Sequence, residues 1–232
     1  MRGVFVVGRK EMRELLSNKG TLFSALLFAS FFGIFPALSA YNSDNPAVSL
    51  NNLIFYLSLT LGAFIGYLFS GQVFFREKQE KVIETLLCAP VSLRMVWLGK
   101  VLGVAMPSYV LSIVASVSII LILNSPSRAH VVPSAAIMFH LLIVVPLFIA
   151  SVVGLIGFVQ LLLGMRENRI VSLLIFMVIF GALYGVRGIM RGDLVVSWVH
   201  VGTLLLVSLL LAALTGYSVR HLSKEKIVTT IS

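Results

Sequence analysis

Arg76-Glu77-Lys78-Gln79-Glu80-Lys81-Val82-Ile83-Glu84-Thr85-Leu86-Leu87-Cys88-Ala89-Pro90 is a charged, amphipathic stretch set between two long apolar runs. Six of its fifteen residues are Arg, Lys or Glu, against 12% charged residues in the whole chain, so it stands out as an island suited to water. On a helix, Val82, Ile83, Leu86 and Leu87 share one face by i, i+3, i+4 spacing, and Glu77, Lys78, Glu80, Lys81 and Glu84 occupy the rest. Glu77 and Lys81 stand in the favourable i, i+4 order, worth only about 0.3–0.5 kcal/mol, so packing of the apolar face must hold such a helix. The stretch reads as a docking surface at the bilayer surface, against the plainer alternative of a solvated loop helix. Pro90 ends it, Ser92 caps the next helix, and Trp97 and Lys100 anchor the return into apolar sequence at a membrane interface.

The flanks decide the class. The chain has 232 residues, 59% of them hydrophobic, which is more apolar surface than a water-soluble domain of this length can bury. Windows of about 20 nearly uncharged residues recur, the length a helix needs to cross a hydrocarbon core of about 30 Å. They predict six spans, at about 21–40, 52–75, 101–124, 138–163, 170–186 and 198–219. Solid apolar blocks lack the alternation of membrane β-strands. A secretory signal peptide fits the start less well, because the basic flank is long and carries acids. The expected fold is all-α integral membrane: a single transmembrane domain over 1–232 with six transmembrane helices. Residues 1–19 form an interfacial helix, and 76–98 a segment in water between spans 2 and 3.

If the N-terminus faces the cytoplasm, 15 of the 18 Lys and Arg residues fall on inner segments, leaving Arg128, Arg187 and Arg191 outside. That bias predicts a multi-pass protein of the inner or plasma membrane with both termini cytoplasmic. The net charge of +9 then faces anionic lipid and gives no case for nucleic acid. Cys88 lies on the reducing side and reads as a small filler, with no second cysteine for a disulfide.

Small residues recur every four positions: Ala25, Ala29, Gly33 and Ala37 in span 1, and Gly62, Gly66 and Ser70 in span 2. Gly99/Gly103 and Gly181/Gly185 repeat the theme in spans 3 and 5. Such stripes let helices approach closely, either within the subunit or at a dimer face. Pro36 bends or ends span 1, Tyr41–Asn51 reads as a polar loop, and Pro146 kinks span 4 after an interfacial turn near Pro133 and His140. Residues 187–197 form an ordinary loop or a re-entrant element.

The missing chemistry is as informative. No GxxxxGK[ST] phosphate loop, HExxH or GxSxG occurs. His130, His140 and His200 map to outer span ends, where they read as water-facing imidazoles, so metal ligation is not expected. The spans lack the Asp, Glu, Lys or Arg that proton- or ion-coupled transporters use. Energy for transport would therefore arrive from outside the spans, through the water-exposed inner surface.

Arg76-Glu77-Lys78, Ile83-Glu84, Leu86-Leu87, Pro90-Val91-Ser92 and Gly99-Lys100 together resemble the signature between spans 2 and 3 of ABC-2-type exporter permeases. Gln79 and Val82 depart from it, standing where Glu and Thr are commoner. The resemblance implies a transport subunit without its own ATPase motif, working as a homodimer or a heterodimer with a second permease. It also implies two cytosolic ABC ATPase subunits that bind ATP and Mg, with no cofactor in this chain. Residues 76–98 become the coupling segment, with Arg76, Glu77, Glu80, Val82, Ile83, Glu84, Leu86, Leu87 and Pro90 as its contacts with the ATPase. Ala29, Gly33, Gly62, Gly66, Ser70, Gly181 and Gly185 are the helix-packing or dimer candidates, with the substrate passing between spans 1, 2 and 5. A haem-exporter-type permease of cytochrome maturation and a non-transport membrane scaffold or enzyme are the alternatives. The apolar walls suit lipids and hydrophobic drugs equally.

Overall fold

An asparagine sets the first corner. Helix α1 (Arg2–Ser17) turns into α2 (Lys19–Tyr41) at Asn18, whose Oδ1 accepts a hydrogen bond from the Thr21 backbone N–H at 3.3 Å, an N-cap arrangement. The coordinates are a computed structural model that describes residues 2–41, 45–80, 92–124, 131–164, 167–168, 170–171, 173–178, 181 and 195–220. Among these residues there is no strand. Three further long helices follow α2 up to residue 162: α3 (Pro46–Gln79), α4 (Leu93–Leu123) and α5 (Ala135–Leu162). The last described helix is α6 (Trp198–Arg220).

Five helices, α2 to α6, are long and apolar enough to cross a membrane. The remaining expected span, 170–186, lies only partly within the described residues, and those of its residues that are described are helical. Helix α2 runs through Pro36 to Tyr41, so that proline does not end it; it removes one intrahelical hydrogen bond. The expected loop Tyr41–Asn51 is shorter, because Pro46 opens α3 at a position where its missing N–H costs nothing. Asn51 instead accepts a hydrogen bond from the Ser134 backbone N–H at 3.1 Å and so holds the start of α5.

Helix α3 is the centre of the bundle: 78% of its most apolar window is buried, against 17% for α6. Its Gly62 and Gly66 lie against α5, where a Cβ at Gly66 would come within 2.7 Å of Val153 Cγ2 and one at Gly62 would strike Ile149. The same two glycines face Ser112 and Ser108 of α4. Further along, the pattern inverts, and Gly157 of α5 makes room for the buried Phe74 ring of α3. Polar bonds follow the same seams: Ser112 Oγ donates to the Ser58 carbonyl at 2.6 Å, and Thr215 Oγ1 of α6 donates to the Ser151 carbonyl of α5 at 3.2 Å. Ala25, Ala29, Ala37 and Gly33 of α2 are buried too, with Gly33 against Ala115 of α4.

Two helices contain π-turns, Gly71–Phe75 in α3 and His140–Val144 in α5. The second precedes Pro146 and accommodates its missing donor. His140 is fully buried there, its Nε2 lying 3.1 Å from the Phe55 carbonyl and 3.3 Å from Ser58 Oγ. It is not the water-facing imidazole expected from its position near a span end.

Candidate functional site

Residues 76–79 do not begin a separate helix. They are the last turn of α3, a continuous helix of 34 residues. At about 1.5 Å per residue it is about 50 Å long, well beyond a hydrocarbon core of about 30 Å. Its final turn forms a neck leading to residues 81–91, which lie outside the described residues. After that gap Ser92 caps α4, its Oγ accepting from the Met95 N–H at 3.3 Å. Helix α4 starts at Leu93, so its first turns lie inside the segment 76–98.

The neck residues divide by direction. Arg76 and Glu80 are about half exposed and pair with each other, Arg76 Nε donating to Glu80 Oε1 at 2.7 Å. Glu77 and Lys78 are buried, which corrects the expectation that both face water. The Glu77 carboxylate accepts from Lys100 Nζ of α4 at 2.5 Å, and the same ammonium donates to Glu11 Oε1 of α1 at 3.0 Å. Lys10 adds a partly exposed cation 3.7 Å from Glu11. Three helices thus meet on one enclosed ammonium, so Lys100 is no interfacial anchor. Two carboxylates on one buried lysine satisfy the rule that an enclosed charge needs a partner. Trp97, one turn earlier, is likewise packed inside, against Gly154 of α5.

Lys78 points the other way. Its ammonium donates to the backbone carbonyls of Leu161 and Leu163, at 2.9 and 2.6 Å, at the end of α5. The last carbonyls of a helix have no intrahelical donor and carry partial negative charge, so a lysine there is doubly suited. Asn168 Nδ2 serves the Gln160 carbonyl at 3.0 Å and completes the cap. Glu77 therefore ties the neck to α1 and α4, and Lys78 ties it to α5.

Helix α1 reaches Lys100 because glycines line its seat. A Cβ on Gly99 would lie 2.6 Å from Val7 Cβ and 2.9 Å from the Val4 carbonyl, and one on Gly103 would lie 2.7 Å from Glu11 Cβ. Only hydrogen at these positions lets the two backbones come this close.

A second feature is an apolar cavity of about 590 Å³ between α3, α5 and residues 171–178. Its walls include Leu59, Ala63, Phe148, Val152, Ile156 and Leu174, with Tyr56 and Thr60 supplying the hydroxyls. It holds no charged side chain among the lining residues, so it can take apolar matter and offers no acid–base chemistry.

The other expected site residues fall as follows. Val82, Ile83, Glu84, Leu86, Leu87, Pro90 and Gly185 lie outside the described residues. Ala29, Gly33, Gly62, Gly66 and Ser70 are buried inside the chain, with Gly33, Gly62 and Gly66 packed against its own α4 and α5. At Gly181 a Cβ would meet no atom of the described residues within 4 Å.

A family model described as ABC-2 family transporter protein matches residues 19–183, well over half of the chain. The chain belongs to the ABC-2 transporter family. It is accordingly a multi-pass membrane transport subunit of a family that normally works with an ABC ATPase partner and usually carries no ATPase motif of its own. No curated protein matches the sequence. The family match begins at residue 19, so α1 of this ABC-2 chain, and Glu11 with it, lies ahead of the matched part.

The sequence reading missed Glu11 and the internal roles of Lys78 and Lys100. A signal was present for the first: Glu11 interrupts the stripe Val4, Val7, Gly8 and Leu15, of which Val4, Val7 and Gly8 lie against Gly99 and Gly103 of α4. An acid on the apolar face of an amphipathic helix implies a buried cation opposite.

Proposed function

We propose that this ABC-2 chain is the permease subunit of an ATP-driven exporter, forming the translocation path and coupling to separate cytosolic ATPase subunits that bind ATP and Mg. The carrying observation is the neck: α3, the most enclosed helix, continues without a break into Arg76–Gln79 and leads directly to the amphipathic stretch 81–90. A load applied to that stretch enters the most enclosed helix of the bundle through this neck.

In this reading Val82, Ile83, Leu86 and Leu87 seat in a groove of the ATPase, and Arg76, Glu80 and Glu84 supply charged contacts at its rim. Glu77 is removed from that list, since its carboxylate is committed inside. The chain acts in the inner or plasma membrane as a homodimer or with a second permease, with both termini cytoplasmic and α1 in the headgroup plane. The apolar cavity beside α3 and α5 supports a cargo with a hydrophobic part, such as a lipid or an apolar drug. No phosphate-binding loop occurs in the sequence, which agrees with a separate ATPase.

Co-purification tests it. The native chain should retain an ABC ATPase in mild detergent, and the double variant Glu84→Lys/Leu87→Asp should lose it while remaining monodisperse. Undiminished ATPase binding and coupling in that variant would refute the docking assignment.

A further inference from the structure

Helix α1 is built into the neck. Its Glu11 and the neck's Glu77 share the Lys100 ammonium, and both carboxylates are nearly enclosed. The seat at Gly99 and Gly103 leaves no slack for α1 to slide along α4. Its opposite face is exposed at Phe5, Val6, Arg9 and Arg13, so the bonds holding it lie on the Lys100 side. We propose that Lys100 is a positioning residue that makes α1 and the neck a single moving body, so that α1 travels with the coupling segment during the ATP cycle. This rests on the coupling reading above and goes beyond it, because it assigns a mechanical role to a helix that would otherwise be a passive membrane anchor.

Residues 81–91 reach the bundle along two routes, back through the neck and forward through the start of α4. Lys100 bonds across these two routes by way of Glu77, and then adds α1 through Glu11. Removing a buried charge from its partner is costly because the partner is left uncompensated, so separating either carboxylate from Lys100 strands a charge. Three elements held in this way move together or strand a charge.

The test uses the chain in complex with the ATPase that co-purifies with it, in a Cys88→Ser background. Nitroxide labels are placed at Phe5→Cys on α1, Gln79→Cys on the neck and Val132→Cys at the far end, all three exposed positions. Pairwise distances are compared without nucleotide and after trapping with Mg-ATP and vanadate. In the native triad the 5–132 and 79–132 distances should shift together while the 5–79 distance holds. In the uncharged triple variant Glu11→Gln/Glu77→Gln/Lys100→Met, which removes the charges without stranding one, trapping should still occur but the 5–79 distance should now change. A neck that moves in the native triad while α1 stays behind overturns this inference and leaves the coupling reading intact. A 5–79 distance that holds equally in the triple variant also overturns it. A chain that binds no ATPase at all overturns the coupling reading and this one with it.

Discussion

Glu77 and Lys78, adjacent in sequence, are anchored on different parts of the bundle: Glu77 on Lys100 of α4, Lys78 on the Leu161 and Leu163 carbonyls at the end of α5. One helical turn thereby fixes the neck against two sides of the molecule. The exposed side chains of the same turn, Arg76 and Glu80, bond to each other. Structural and docking roles should therefore separate by mutation.

Lys78→Met should lower stability by about 2–4 kcal/mol, because hydrogen bonds to a charged donor are lost and two carbonyls at a helix end are left without it. Thermal unfolding in detergent reads the loss. Lys78→Arg, which keeps the cation, should recover part of it.

Lys100→Met alone should cost about 3–5 kcal/mol, since it leaves two enclosed carboxylates without their shared cation. Glu11→Gln/Glu77→Gln/Lys100→Met should restore most of the stability, because replacing a whole buried ionic cluster is often neutral or better. A triple variant as unstable as the single one would show that the triad is not the source of the cost.

Arg76→Ala should change stability by less than about 0.5 kcal/mol, as expected for an exposed i, i+4 pair. The same variant should weaken ATPase co-purification if Arg76 lies at the docking rim. Glu77→Gln should do the reverse in order of effect, with unfolding disturbed before docking.

Gly66→Ala should destabilise by about 1–3 kcal/mol through overpacking against Val153, whereas Gly216→Ala should be neutral or stabilise by up to about 1 kcal/mol, since it gains helix propensity. The contrast follows from the space at each site: Val153 Cγ2 would be 2.7 Å from a Cβ at Gly66, and no atom of the described residues lies within 4 Å of one at Gly216. Parallel melting curves of the two variants check it.

The spans were legible because an apolar window needs no knowledge of its neighbours; Trp198–Arg220 comes out within a residue of the expected 198–219. Their ends were not, because local chemistry misleads there: Arg76–Gln79 is charged yet continues α3, since its charges are met from other helices. A helical wheel drawn on 77–87 cannot know that Lys100, 23 positions on, and Glu11, 89 positions before that lysine, arrive at the same point. The burial of His140 was hidden in the same way, because its partners Phe55 and Ser58 are more than 80 positions away. The amphipathic pattern of α1 was plain, but which of its residues would matter depended on α4.

The π-turn at Gly71–Phe75 sets the angular phase of everything that follows it in α3. A π-turn holds one residue more than an α-turn, and each residue carries a helix through about 100°. Deleting a single residue there would collapse the π-turn to an α-turn of about the same rotation and rise, leaving Glu77 toward Lys100 and Lys78 toward the end of α5, whereas an inserted residue would rotate both away. The π-turn thus acts as a reserve of register: a one-residue deletion between Ser70 and Arg76 should be tolerated, and a one-residue insertion there should not.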